Sequence, residues 1–184
     1  MFPVFKGKND VVVAVGDGGI ALSGDGDVLE SLVDGLPGGI GEPWFDSLES
    51  VLSRNLFAVP AVKGVEFGDG FAISELKGSA ARDELAYEDG KIVTLTNHNG
   101  GINGGISNGM PLVIRTAVKP TPSISQPAQS VNLLTGENTE ITPGGRHDPA
   151  IVHRARVVID SVIAISLVDL CSLAYGTSWQ RTEK

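Results

Sequence analysis

A single cysteine, Cys171, in 184 residues excludes an internal disulfide and fits a reducing compartment. It sits in an apolar helical pattern and reads as a buried, inert thiol, not a nucleophile. Basic residues are scarce too: 14 lysines and arginines stand against 22 carboxylates, a formal net charge of -8. With no cluster of lysine or arginine, no nucleic-acid partner is expected. An anion could be held only by a few local basic groups. His, Cys and carboxylate residues never gather at metal-ligand spacing, so no metal is expected. No leader is expected either, because Met1-Phe2-Pro3-Val4 runs straight into charged residues. Long hydrophobic runs are missing but for one, Val157 to Tyr175. It carries Asp160 and Asp169, each costly at a bilayer centre, which favours a core or interface helix with no membrane partner.

Glycine is what the chain has in excess. Its 24 glycines and 10 prolines call for many tight turns, and the length suits one domain with a sizeable core. The glycines concentrate between Thr96 and Ser123, in Thr-Asn-His-Asn-Gly-Gly-Ile-Asn-Gly-Gly-Ile-Ser-Asn-Gly-Met-Pro, an apolar run and Lys-Pro-Thr-Pro-Ser. Glycine loses the most entropy on ordering, and close approach of backbone to a bound ligand is the usual compensation. Lys119 and the Thr121 and Ser123 hydroxyls suit a phosphate or another anion. The stretch therefore reads as a cofactor cradle.

Residues 10–15 form a strand candidate, and Gly16-Asp17-Gly18-Gly19-Ile20-Ala21 superficially matches a dinucleotide fingerprint. Ser23-Gly24-Asp25-Gly26-Asp27 leaves no room for the helix that fingerprint needs, so a turn-rich connection is expected. Val28 to Val33 is apolar and open between strand and helix. Glu42 to Asn55 reads as a helix with Pro43 in its first turn and Trp44, Phe45, Leu48, Val51 and Leu52 on its core face. Val59 to Phe67 and Phe71 to Leu76 read as a hairpin around Gly68-Asp69-Gly70. Lys63 and Glu66 would lie on opposite faces, either solvated or paired with a neighbouring strand. Ser79 to Asp89 reads as a polar, mobile excursion. Lys91 to Thr96, Leu112 to Val118 and, weakly, Glu137 to Ile141 read as strands, with an extended loop over Ser123 to Asn132. A second helix is expected from Pro149 to about Ala174, capped by Asp148 and apolar almost all round, so it needs burial on most sides. Such a helix implies oligomerisation or a further domain.

Four stretches taken together resemble chorismate synthase. They are Gly-Leu-Pro-Gly-Gly-Ile-Gly-Glu-Pro-Trp-Phe-Asp (35–46), Pro-Ala-Val-Lys-Gly-Val-Glu-Phe-Gly-Asp-Gly-Phe (60–71), the segment from Asn97 through Lys-Pro-Thr-Pro-Ser (119–123), and Gly-Arg-His-Asp-Pro (145–149). Residues 27–175 carry the resemblance, residues 1–26 have no clear counterpart, and residues 176–184 form a polar tail. Only the C-terminal half of the family pattern is covered. The family's Gly-Glu-Ser-His-type motif, a second histidine and the arginine-rich substrate segments have no match in this sequence. Asn99, Ala150 and Asp160 stand where the family usually has Ala, Cys and Glu.

The resemblance implies an α+β fold, a β-α-β sandwich of antiparallel sheet and buried helices, assembled as a homotetramer or completed by a separate N-terminal half. It implies anti-1,4 elimination of phosphate from 5-enolpyruvylshikimate 3-phosphate to give chorismate, with reduced FMN as cofactor, in the cytoplasm. By position, the flavin contacts would be Pro60, Ala61, Gly104, Lys119, Pro120, Thr121, Pro122, Ser123 and Arg146. Asp148 matches an aspartate proposed to help proton transfer through the flavin, and it can equally cap the last helix. His98 is open between a flavin contact and loop hydrogen bonding, and His147 reads as structural.

Overall fold

The computed structural model describes residues 2–3, 12–18, 27–145 and 151–176. Its frame is a five-stranded antiparallel sheet of β1 (Phe2–Pro3), β2 (Val12–Gly18), β3 (Asp27–Asp34), β4 (Val62–Phe67) and β9 (Leu112–Val118), in the order β1-β2-β3-β9-β4. Residues 28–33, which the sequence left between strand and helix, form the central strand β3. Leu29, Ser31 and Val33 point inward, and Val28, Glu30 and Leu32 point to solvent. In β9 the alternation is complete, with Leu112, Ile114, Thr116 and Val118 all buried. The expected strand near residue 10 exists, but it continues through Gly16-Asp17-Gly18, paired with Glu30, Leu29 and Val28. That part of the expected turn-rich connection is therefore strand; residues 19–26 lie outside the described residues.

Two helices cover the inner face. α1 (Leu48–Phe57) buries Leu48, Val51, Leu52 and Leu56, a stripe at helical spacing. It starts later than the sequence suggests. Ser47 caps it, its Oγ accepting from Ser50 N at 3.1 Å, because a hydroxyl at this position satisfies one of the helix's orphan donors. Residues 44–46 form a separate 3-10 turn, with Trp44 at φ 68°. Trp44 and Phe45, expected in the core, are consequently more than four-fifths exposed. The last helix runs Val152–Tyr175, with its expected start and cap at Pro149 and Asp148 outside the described residues. α2 is a single turn, Gly78–Ala81, which makes the last helix α3. α3 buries Val152, Ile159, Ile163, Leu167, Leu170 and Cys171, and Asn55 Nδ2 donates to Ser166 Oγ at 2.8 Å to tie α1 to α3. Burial pushes the Cys171 thiol up, in keeping with an inert sulfur. By length and composition α3 could cross a membrane, yet here it is a core helix on its inner side. Its other side is not covered: Val157, Val158, Ile165 and Leu173 stay exposed.

Among the described residues, three small hairpins lie outside the sheet: β5 (Leu85–Glu88) with β6 (Lys91–Thr94), β7 (Ile102–Asn103) with β8 (Ile106–Ser107), and β10 (Ala128–Val131) with β11 (Asn138–Ile141). Three expectations change. Residues 70–75 form a 3-10 helix, not the second strand of a hairpin, and β4 pairs instead with distant β9. Glu66 turns back to accept from Phe71 N at 3.3 Å, which closes the turn locally. The polar segment from Ser79 contains α2 and β5, and part of the loop after Ser123 is β10. Glu66 does pair across strands, with Arg115 Nη1 at 2.6 Å.

The facing of α3 gives a direct check. Ile163→Ala removes a fully buried side chain and should cost about 2–5 kcal/mol. Ile165→Ala, two residues on, should change the urea midpoint of this chain by less than about 0.5 kcal/mol equivalent. Equal losses would place the helix face wrongly.

Candidate functional site

The glycine-rich stretch does not lie in one place. Its glycines pack at the Leu112 end of β9, and Lys119 to Ser123 leave from the other end, so about 20 Å of strand separates them. Most of the glycine order is explained by backbone meeting backbone. A Cβ on Gly100, at φ 60°, would lie 2.3 Å from Gly68 N, and one on Gly68 would lie 2.1 Å from His98 O. Gly68 N donates to Val113 O and Val113 N to Gly100 O, at 3.0 and 3.3 Å. Only a residue without a side chain fits there. Gly104 differs: it has the same φ of 60° at the tip of the β7–β8 hairpin, but no atom lies within 4 Å of its missing Cβ. Of the two glycine pairs, this is the position open to a ligand.

Two carboxylates hold the turns around these glycines. Asp83 Oδ1 accepts from Thr96 Oγ1 at 2.7 Å and His98 N at 2.8 Å, and Oδ2 accepts from Asn99 N and Nδ2 at 3.0 and 2.9 Å. Burial acts to raise the Asp83 pKa, but the donors from Thr96, Asn99 and His98 outweigh it and hold the carboxyl below its ordinary range. Asp69 meets the same turn from the other side, through its backbone N to His98 O at 2.8 Å and its Oδ2 to His98 Nδ1 at 2.5 Å. Sequence reasoning missed both residues, having read Asp83 as part of a mobile excursion. Its signal was the four donors at 96–99 that need an acceptor.

At the opposite end Ala61 meets Lys119, with Pro60 and residues 120–123 adjoining them in the chain. Lys119 N donates to Ala61 O at 2.8 Å, and Ala61 is held at φ 75°, a conformation that costs an L-residue roughly 1–2 kcal/mol. Lys119, Pro120, Pro122 and Ser123 are exposed. Thr121 is half-buried, and its Oγ1 is out of contact with solvent and without a hydrogen-bond partner among the described residues. A buried hydroxyl left unpaired loses free energy, so it marks a place where an acceptor or donor is wanted. Gly104 is not part of this group. Its neighbour Gly105 accepts from Leu48 N at the start of α1, whereas Ala61 follows the end of α1, so about 15 Å of helix lies between. Arg146, His147 and Asp148 lie outside the described residues.

A cavity of about 220 Å3 opens elsewhere, on the solvent face of the sheet, lined by Val28, Gly64, Val65, Glu66, Phe71, Arg115 and Ala117. Among the described residues, none of the sequence-predicted site residues lines it. Its one cation among them, Arg115, already faces Glu30 at 3.3 Å and Glu66 at 2.6 Å, which disfavours a phosphate there.

Comparison with known proteins covers both ends. The chorismate synthase family profile matches residues 21–172. The chorismate synthase of Lachnoclostridium phytofermentans is 47% identical over 150 residues, covering 81% of this chain and 41% of that protein. Those of Dehalococcoides mccartyi and Methanobrevibacter smithii are each 52% identical, over 79% and 78% of this chain and 40% of theirs. A crystal structure of chorismate synthase superposes with a TM-score of 0.65 at 29% identity, over 82% of this chain and 38% of that one. The chain thus spans about two fifths of the length of the curated relatives it matches.

Two measurements test this arrangement. Gly104→Ala and Gly100→Ala share one backbone conformation, so their difference isolates steric room: about 1 kcal/mol for Gly104, from the left-handed conformation alone, and at least about 3 kcal/mol for Gly100. Equal midpoints in urea would refute the close crossing. Because the folded Asp83 pKa is depressed, its contribution is present at neutral pH and lost as pH falls through that depressed value. Protection of the His98 and Asn99 amides, relative to their intrinsic exchange rates, should therefore fall on acidification below the ordinary carboxylate range, and Asp83→Asn should remove that dependence.

Proposed function

The chain belongs to the chorismate synthase family, and we propose that it supplies the flavin-contacting, carboxy-terminal part of a chorismate synthase. The reaction is the anti-1,4 elimination of phosphate from 5-enolpyruvylshikimate 3-phosphate to give chorismate, in the cytoplasm. The observation that carries this reading is the orphaned Thr121 hydroxyl inside the matched Lys119–Ser123 segment. A phosphate oxygen accepts from such a hydroxyl, and Lys119 adds a charge-assisted bond.

The residues present fit an elongated anionic cofactor. Lys119, Thr121 and Ser123 would hold its phosphate, with Pro60 and Ala61 beside them, and Gly104, across the roughly 15 Å length of α1, would let backbone approach the rest of it. Reduced FMN, when bound, supplies an electron that the reaction returns, without net redox change. Arg146 offers a planar fork to a phosphate or carboxylate. By position in the family pattern, Asp148 would hold or move a proton.

A second reading keeps the binding and drops the catalysis: a non-catalytic fragment or oligomerisation module that works only with a separate N-terminal half. The exposed Val157, Val158, Ile165 and Leu173 on α3 favour it, since such a stripe asks for a covering surface. That surface is either further copies, up to a tetramer, or the remaining family segment.

Assaying the purified chain anaerobically with reduced FMN and 5-enolpyruvylshikimate 3-phosphate separates the two. Chorismate formed by this chain alone would end the fragment reading. A flat trace restored by the amino-terminal segment of a relative supports a split enzyme, and a flat trace in both cases contradicts the synthase proposal. Lys119→Ala should weaken FMN binding about tenfold by fluorescence titration.

A further inference from the structure

The turn that carries His98 is closed twice over by main-chain bonds. Asp69 N donates to His98 O, and Asp83 accepts from the amides of His98 and Asn99. Any residue at position 98 could make these bonds, so they do not account for an imidazole. Yet the ring is not idle. Its Nδ1 lies 2.5 Å from Asp69 Oδ2, and the pair is shielded but not sealed, with side-chain exposures of 26% and 33%. Among the described residues Nε2 has no partner. A carboxylate on Nδ1 fixes that nitrogen as the N–H donor and leaves the Nε2 lone pair directed away from it. The same division of labour orients the imidazole in carboxylate–histidine pairs that exchange protons.

We infer that Asp69 and His98 form a proton-handling pair at the glycine-rich turn, in which Asp69 sets the tautomer and His98 Nε2 exchanges a proton with the bound ligand. The ligand's identity rests on the flavin reading above; the tautomer does not. An elimination that expels phosphate also releases one proton. The electron pair of the substrate's broken C–H bond becomes the new C=C bond and the C–O pair departs with phosphate. As the proton passes from the bound ligand to His98, the Nε2 lone pair forms the new N–H bond, the ligand keeps the pair that held the proton, and no electron changes hands. The imidazolium is held against Asp69, with Asp83 as the second nearby carboxylate and Arg115 bound to Gly68 O one residue away. It then returns the proton to water through its exposed edge. Asp69 is a positioning residue in this account.

Nitrogen-15 NMR of the 184-residue chain, labelled at histidine and at backbone amides, tests this without an activity assay. The His98 signals are identified by their loss in His98→Gln. The expected result has three parts. Nε2 carries the lone pair in the free chain. Oxidised FMN moves the Nε2 signal together with the amides of Lys119, Thr121 and Ser123. Asp69→Asn mixes the tautomers while the Gly100 and Gly101 amides keep their protection. An Nε2-protonated tautomer overturns the inference whatever FMN does. If the amides at 119–123 move and Nε2 does not, the pair has no ligand role and the flavin reading stands. If neither moves, both fall.

Discussion

The structure depends on two backbones touching. At Gly68 and Gly100 the turn after β4 and the turn before β7 cross so closely that neither position has room for a methyl group. This crossing seats both turns on the start of β9 through the bonds of Gly68 and Gly100 to Val113. It also brings Asp69 to His98, and it presents Gly68 O to Arg115 Nη2 at 2.7 Å. Arg115 in turn joins Glu30 and Glu66 across three strands. One steric constraint therefore sets the register of β4 against β9 and the placement of the only candidate dyad among the described residues.

From that junction the chain divides the proposed site between the two ends of one layer. β9 carries the chain from the glycine turns to Lys119, and α1 runs alongside between Gly105 and the Ala61 turn. A rigid strand and a rigid helix thus fix the distance between an open glycine and an unpaired hydroxyl. A compact anion could meet only one end. The flavin proposed above, with a phosphate at one end and a flat ring at the other, is long enough to reach both.

The sequence was readable where one local rule dominated. The apolar run leaving the glycine stretch located β9, and the stripe Leu48, Val51, Leu52 located α1. The matched segments announced the family before any coordinate. It misled where tertiary context chose between local options. Phe71 to Leu76 follows the Gly68-Asp69-Gly70 turn where the second strand of a hairpin would lie, but Glu66 closes the turn and β9 takes the pairing edge. Trp44 and Phe45 fit the helical stripe, but Ser47 is the better cap and ejects them. The glycine stretch was read as a single cradle because spacing cannot tell a glycine that meets backbone from one that meets a ligand. The Asp83 clasp links residues 13 to 16 apart through side-chain bonds, which no periodicity records.

Comparing FMN with riboflavin tests whether the Lys119–Ser123 end holds a flavin phosphate, because the two differ only in that group. Titrated by fluorescence against the same chain, FMN should bind at least about tenfold more tightly, and Thr121→Val should narrow the gap while leaving riboflavin binding unchanged. Equal affinities for the two flavins, unaltered by Thr121→Val, would contradict it.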